Sequence, residues 1–235
     1  MFKRTVWDRG TTNFYGFKIT GEVAPIINKT TSRKKKIELY GNSITQGLAV
    51  DDPLLSDDRD PKYENNYHSY TSIVGGNYKA EYRNICLSGI GLTISWFPLI
   101  MHQMFNSLNP NIAGSAWDFS KFSPDLVIIN ILQNDSWLIS SPNSIEFIEA
   151  YKKFISYPRR IYPETHIICM LGNMDASRVG SIWPSYIKEA VVQLNDTKIY
   201  SHIVPFKNTS GHPSISEQEC MANNLINFID ANIIW

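Results

Sequence analysis

The sequence lacks an excess of either charge: 22 Lys and Arg balance 22 Asp and Glu over 235 residues, a formal net charge of zero. Without a net field the chain has no general means of concentrating nucleic acid or anionic lipid, so neither is an expected partner. Paired cysteines are also missing. Cys86, Cys169 and Cys220 are odd in number, widely spaced and outside any C-x-x-C or Cys/His pattern, which points away from a disulfide framework and a zinc site. Cys86 and Cys169 each stand in an apolar run and read as small buried hydrophobes. No stretch approaches the roughly 18 apolar residues of a membrane-spanning helix. The basic residues of Met1-Phe2-Lys3-Arg4 are followed by no apolar segment of export-signal type. Repeats and low-complexity tracts are absent as well. What is present is 43% hydrophobic and 12% aromatic residues, enough for the core of one domain and incompatible with disorder, collagen or coiled coil.

From Lys35 onward short apolar runs alternate with longer helix-like segments, which predicts a parallel sheet covered by helices on both faces. The expected strands are Lys36 to Tyr40, Ala80 to Leu87, Leu126 to Ile131, His166 to Leu171 and Lys198 to Val204, each ended by Gly, Ser, Asn or Pro. The expected helices are Tyr67 to Gly75, Ile94 to Leu108, Ser144 to Tyr157, Ser181 to Leu194 and Ile215 to Ala231. Asn143 reads as an N-cap with Glu146 in the first turn, and Ser214 with Glu217 reads as a capping box. Residues 1–34 break the rhythm. Asn13 to Thr20 is β-prone, an edge strand or the remnant of a preceding β domain, and Asn28 to Lys36 is a basic linker. Asp51 to Asn66 reads as a long acidic surface loop after the first strand, and long loops in compact domains are often functional.

Open α/β sheets place their sites at the carboxyl ends of strands, and four short tracts fall there. Gly41-Asn42-Ser43-Ile44-Thr45 follows the first strand. A serine is nucleophilic only with a base within hydrogen-bond reach, and alone this tract equally reads as an ordinary turn. Of five histidines, His212 follows the fifth strand, and Pro213 keeps it out of helical geometry and so on a loop. His68 and His102 read as solvated or packed, and His166 and His202 as strand residues. Asn134, after the third strand, could direct its amide at an oxyanion, although Asn134-Asp135 also suits a turn cap. Ser88-Gly89 follows the second strand, where glycine lets a backbone N–H come close to a ligand. Neither G-x-G-x-x-G nor a P-loop lysine follows the first strand, which disfavours nucleotide binding.

Taken together and in this order, the four tracts resemble the blocks of the GDSL-type esterases, or SGNH hydrolases, and most closely those of family two of the carbohydrate esterases. The resemblance runs from Ile37 to the C-terminus. It implies a three-layer α/β/α, flavodoxin-like fold with a five-stranded parallel sheet, a hydrolase domain over 35–235, and an extension over 1–34. Residue by residue it implies Ser43 as nucleophile and His212 as general base and acid. The oxyanion hole would be the N–H groups of Ser43 and Gly89 with the Asn134 amide. It implies no metal or other cofactor. Gly172-Asn173-Met174 also resembles the carbohydrate esterase branch.

Three departures stand out. Asn42 replaces the usual Asp. Leu132 stands where a glycine is usual, two residues before Asn134, and its bulk is expected to narrow an acyl pocket. Thr209 occupies the place, three before His212, of the carboxylate that orients the histidine in many members, and no carboxylate lies between Asp196 and Glu217. The resemblance therefore leads to a Ser43-His212 dyad with His212 Nδ1 donating to a main-chain carbonyl. The expected substrate is an O-acetylated sugar or polysaccharide, with Trp137, Trp96 and Trp183 as candidate stacking surfaces. A lipid-directed or short-chain esterase is the first alternative. A non-catalytic carbohydrate-binding relative, motivated by Leu132 and Thr209, is the second. The resemblance favours export for a trimmed chain, and the cytoplasm otherwise.

Overall fold

The computed structural model describes residues 15–22 and 34–234. Five parallel strands form one sheet: β1 (Lys36–Gly41), β2 (Glu81–Cys86), β3 (Leu126–Asn130), β4 (His166–Leu171) and β5 (Ile199–Ile203), in the order β2-β1-β3-β4-β5. This is the doubly wound, flavodoxin-like order, in which the chain reverses direction across the sheet at β1 and β3 and opens a crevice beyond their carboxyl ends. The central strand β3, Leu-Val-Ile-Ile-Asn, is buried along its whole length, as a strand covered on both faces must be.

Strand side chains alternate between faces, so each strand feeds two cores. Tyr40, Val127, Ile129, Ile167 and Cys169 join the aromatic side chains of α5 (Ser144–Ile161) and α6 (Trp183–Leu194). Ile37, Leu39, Leu126, Ile128, Ile168 and Met170 face α2 (Tyr70–Asn77) and α7 (Ile215–Asn232). Asn143 caps α5 by accepting from Ile145 N, and the Ser214/Glu217 capping box opens α7. Cys169 belongs to this interior, whereas Cys86, at the end of β2, is only half-buried, and loss of solvation pushes its thiol up to about 12.

Two expectations fail locally. The segment expected as a helix from Ile94 to Leu108 forms only α3 (Met101–Met104). Pro98 disfavours helix at Phe97, and the N–H groups of Leu92 and Thr93 are taken by the buried Asp135 carboxylate at 2.9 and 2.8 Å. α5 runs past Pro158, beyond the expected end at Tyr157, to Ile161, where Arg159 Nη1 caps it by donating to the carbonyls of Tyr162 and Thr165. Residues 15–22 form no strand and are exposed, while residues 13–14 and 28–33 of the expected edge strand and linker lie outside the described residues.

Candidate active site

Ser43 opens α1 (Ser43–Gln46), directly beyond β1, where Asn42 acts as N-cap by accepting from Ile44 N at 3.0 Å. An Asn oxygen serves this cap as an Asp oxygen would. Gly41 has no room for a side chain, since a Cβ there would lie 1.9 Å from Thr45 Oγ1. β1 and α1 thus meet at a sharp turn that sets Ser43 at the sheet edge. His212 arrives from the far end of the chain and places Nε2 2.9 Å from Ser43 Oγ. Both residues are largely enclosed, at 3% and 9% exposure.

On the other side of the imidazole, Nδ1 lies 2.7 Å from Asp57 Oδ1, and the His212 backbone N–H donates to the same oxygen at 2.8 Å. The expectation of a main-chain acceptor for Nδ1, and of a two-residue dyad, is corrected by this contact. The carboxylate comes from the Asp51 to Asn66 loop, 155 residues away in sequence, and not from the turn before His212. Burial works against ionisation of Asp57, but the ring hydrogen bond, the charge of His212 and the backbone N–H outweigh it and hold the carboxyl far below its ordinary range. Arg59 donates to Oδ2 at 3.1 Å. Gly211, at φ +69°, lets Asp57 approach: a Cβ there would be 2.7 Å from Asp57 Cβ.

The remaining tracts also lie beyond the carboxyl ends of their strands, β2 and β3. Ser88 N donates to Gln46 Oε1 at 2.8 Å, tying the second tract to the first. Gly89 has φ +85°, and a Cβ would press on the Phe97 ring at 3.1 Å, so this turn requires glycine. Asn134 lies on α4 (Gln133–Leu138), donating from Nδ2 to Ile90 O at 2.7 Å and accepting at Oδ1 from Trp96 Nε1 at 3.1 Å. These two partners fix which way the amide faces. Asp135 binds Leu92 N, Thr93 N and Thr93 Oγ1, holding the loop after Gly91 against α4. Burial raises the Asp135 carboxyl against these bonds.

Leu132 does not narrow a pocket. Its side chain is wholly buried in the α5/α6 core, and the position costs backbone strain instead, at φ +87°. Trp183 also departs from expectation: it is buried edge-on against Phe147 at 4.9 Å and cannot stack on a ligand. Trp137 remains 39% exposed, with Nε1 donating to the Asp175 carboxylate at 2.8 Å. It lines a cleft of about 330 Å³ together with Asp57, Arg178, Phe206 and His212. Trp96 is more exposed, at 61%, and lies outside that cleft, turned toward Asn134. A larger cavity of about 930 Å³ runs beside β2 past Glu38, Arg83 and Trp117, without Ser43 or His212 in its walls. Among the described residues, no three His, Cys, Asp or Glu side chains stand together as a metal site, and no helix is long and apolar enough to cross a membrane.

No family model matches the chain. A curated relative, the cellulase/esterase CelE of Acetivibrio thermocellus, is 34% identical over the whole chain, which spans 30% of that protein. An acetylxylan esterase / glucomannan deacetylase of Cellvibrio japonicus is 26% identical over 82% of the chain and 55% of its own length. The solved structure of a family two carbohydrate esterase from Clostridium thermocellum in complex with cellohexaose superposes with a TM-score of 0.76. It is 34% identical, with 91% of this chain and 67% of that one covered. The fold extends to a GDSL-like lipase from Bacteroides ovatus at 14% identity and TM-score 0.60, covering 85% of this chain and all of that one.

Proposed function

The chain belongs to family two of the carbohydrate esterases, and from that premise we propose that it removes acyl groups, O-acetyl above all, from carbohydrates through a Ser43-His212-Asp57 triad. What carries this reading is the unbroken pair of hydrogen bonds, Ser43 Oγ to His212 Nε2 at 2.9 Å and His212 Nδ1 to Asp57 Oδ1 at 2.7 Å. Nucleophile, base and orienting group follow one another as acyl transfer requires.

Ser43 Oγ attacks the ester carbonyl carbon while His212 Nε2 takes its proton. Asp57 fixes the Nδ1–H tautomer and offsets the positive charge that develops on the ring. The carbonyl oxygen, now an oxyanion, faces the N–H of Ser43, an orphan donor at the start of α1, the N–H of Gly89, and the second Asn134 Nδ2 hydrogen. Collapse of this intermediate breaks the ester C–O bond, and His212 returns the proton to the departing sugar hydroxyl. Water, deprotonated by His212, then attacks the acyl-Ser43 carbonyl carbon; collapse of that second intermediate breaks the bond to Ser43 Oγ, which takes the proton back from His212 as the acid leaves.

The sugar is assigned to the cleft beside His212. There the half-exposed face of Trp137 suits the C–H face of a pyranose, and the Asp175 carboxylate braces its Nε1. The cellohexaose bound by the clostridial relative is consistent with a glycan ligand. A binding-only role loses both of its motives, because Asp57 supplies the carboxylate and Leu132 points into the core. Acetate release from a panel of acetylated glycans, with wild type and Ser43→Ala side by side, tests the reading. Wild-type release that is lost in Ser43→Ala is expected, and equal turnover by both proteins would remove the serine mechanism.

A further inference from the structure

Asp57 sits in a left-handed backbone conformation, φ +60°, and Leu55 two residues earlier does the same at φ +53°. Such positions persist in non-glycine residues only where the surroundings impose them. Here the imposing group is Asp52. Its Oδ2 accepts from Ser56 N at 2.8 Å and Asp58 N at 3.0 Å, the peptide N–H groups immediately before and after Asp57. Ser56 Oγ adds a third bond to that oxygen at 2.8 Å, and Leu54 N donates to Oδ1 at 3.0 Å. Asp52 is itself almost wholly enclosed, at 4% exposure. These N–H groups, first that of Asp58, hold its carboxyl down to about 2 against the effect of burial, so the clamp is charged across the range in which an esterase works.

On the reading that Asp57 orients His212, we propose that Asp52 is a positioning residue for the reaction: by gripping the backbone on both sides of Asp57 it aims that carboxylate at the imidazole. It touches neither Ser43 nor His212, and its effect on rate passes through Asp57. Among the described residues, the Asp57 carboxylate accepts hydrogen bonds beyond His212 only from the guanidinium of Arg59, which is itself mostly in solvent.

The test compares Asp52→Ala, Asp52→Asn, Asp57→Ala and the two double variants with Asp57→Ala. It reads kcat and KM for 4-nitrophenyl acetate together with the proton resonance of His212 Nδ1–H. Displacing an orienting group by about an ångström costs up to roughly 100-fold. Asp52→Ala is therefore expected to lower kcat about 10- to 100-fold with KM little changed, and to shift or broaden the resonance. In the Asp57→Ala background it is expected to cost less than about twofold more, because groups acting in series are not additive. Asp52→Asn keeps an oxygen for Ser56 N and Asp58 N and is expected to recover most of the rate. If Asp52→Ala does not fold, Asp52→Ser, whose single shorter oxygen does not replace the carboxylate bonds to Ser56 N and Asp58 N, carries the same comparison alone and on Asp57→Ala. Losses that multiply in the double variant, or a parental rate and resonance in Asp52→Ala, would overturn the proposal. A parent without Ser43-dependent turnover would instead refute the esterase reading, and the resonance would still report whether Asp52 positions Asp57.

Discussion

Substituting Gly211 by alanine tests the packing behind the triad, with consequences that can be worked out atom by atom. The added methyl would lie 2.7 Å from Asp57 Cβ, 3.0 Å from Cγ and 3.3 Å from Oδ1. Ordinary carbon contacts lie near 3.5–4.0 Å, so the two segments must part by roughly 1 Å. The φ of +69° at Gly211 adds backbone strain of about 1–2 kcal/mol for any L side chain. For a domain of this size that strain lowers Tm by about 2–8 °C. The displacement acts on the acceptor that His212 uses through both Nδ1 and its own N–H, and a shift of this size costs up to about 100-fold in rate. Steady-state kinetics beside a thermal melt separates the two effects. On Asp57→Ala the same substitution is expected to keep the Tm loss, since the closest contact is with the retained Cβ, and to lose most of its kinetic effect, since the carboxylate it displaces is gone. A Gly211→Ala protein that melts early yet turns over at the parental rate would show that Asp57 is not held against this glycine as described.

Asn134→Ala is expected to lower kcat about 100- to 1,000-fold while the protein stays folded, as for loss of one oxyanion donor; a rate within threefold of the parent would take the amide out of the mechanism. Leu132→Gly relieves about 1–2 kcal/mol of left-handed strain but removes a fully buried side chain worth about 2–5 kcal/mol. A net destabilisation of up to about 4 kcal/mol in urea melts is expected, and a stabilised variant would refute the core assignment. Asp57 and Asp52 both have depressed carboxyls, so their contribution to stability is whole above pH about 4 and drains away as pH falls toward 2. Asp135 and Glu38, raised chiefly by burial, act with the opposite sign. Urea midpoints between pH 2 and 6 should therefore fall less steeply in Asp57→Asn than in the parent, and parallel curves would contradict the assignment of the depressed carboxyl.

Strands were legible because a covered parallel strand must be apolar on both faces, and Leu126 to Asn130 has no other use in a chain of this composition. The carboxyl-end tracts were legible because turn chemistry is local: Gly41, Gly89 and Ser43 act within a few residues of one another along the chain or across adjacent strands. Asp57 was not. Its role depends on a loop that folds back over 155 residues to His212, and nothing in Ser56-Asp57-Asp58 distinguishes it from the acidic residues around it. The only signal was the length and acidity of the loop. The Ile94 to Leu108 segment misled for a similar reason: its apolar spacing suits a helix, but the loop just before it is held, through the N–H groups of Leu92 and Thr93, by the carboxylate of Asp135 on another element. Trp183 carried no mark of its fate either, since an indole that fills a core and one that faces a sugar have the same local sequence.

Ser43 and Asp57 lie on one short stretch leaving the first strand, so a single distant closure, that of His212, completes the chemistry. The turn ahead of the imidazole is thereby relieved of an electrostatic duty. Thr209 and Ser210 border the cleft, and Thr209 is tied to Lys207 and Glu217 without having to carry a charge for the ring. On the proposed reading, Thr209 and Ser210 can change without removing the carboxylate that faces His212, because that carboxylate is anchored in the loop after the first strand.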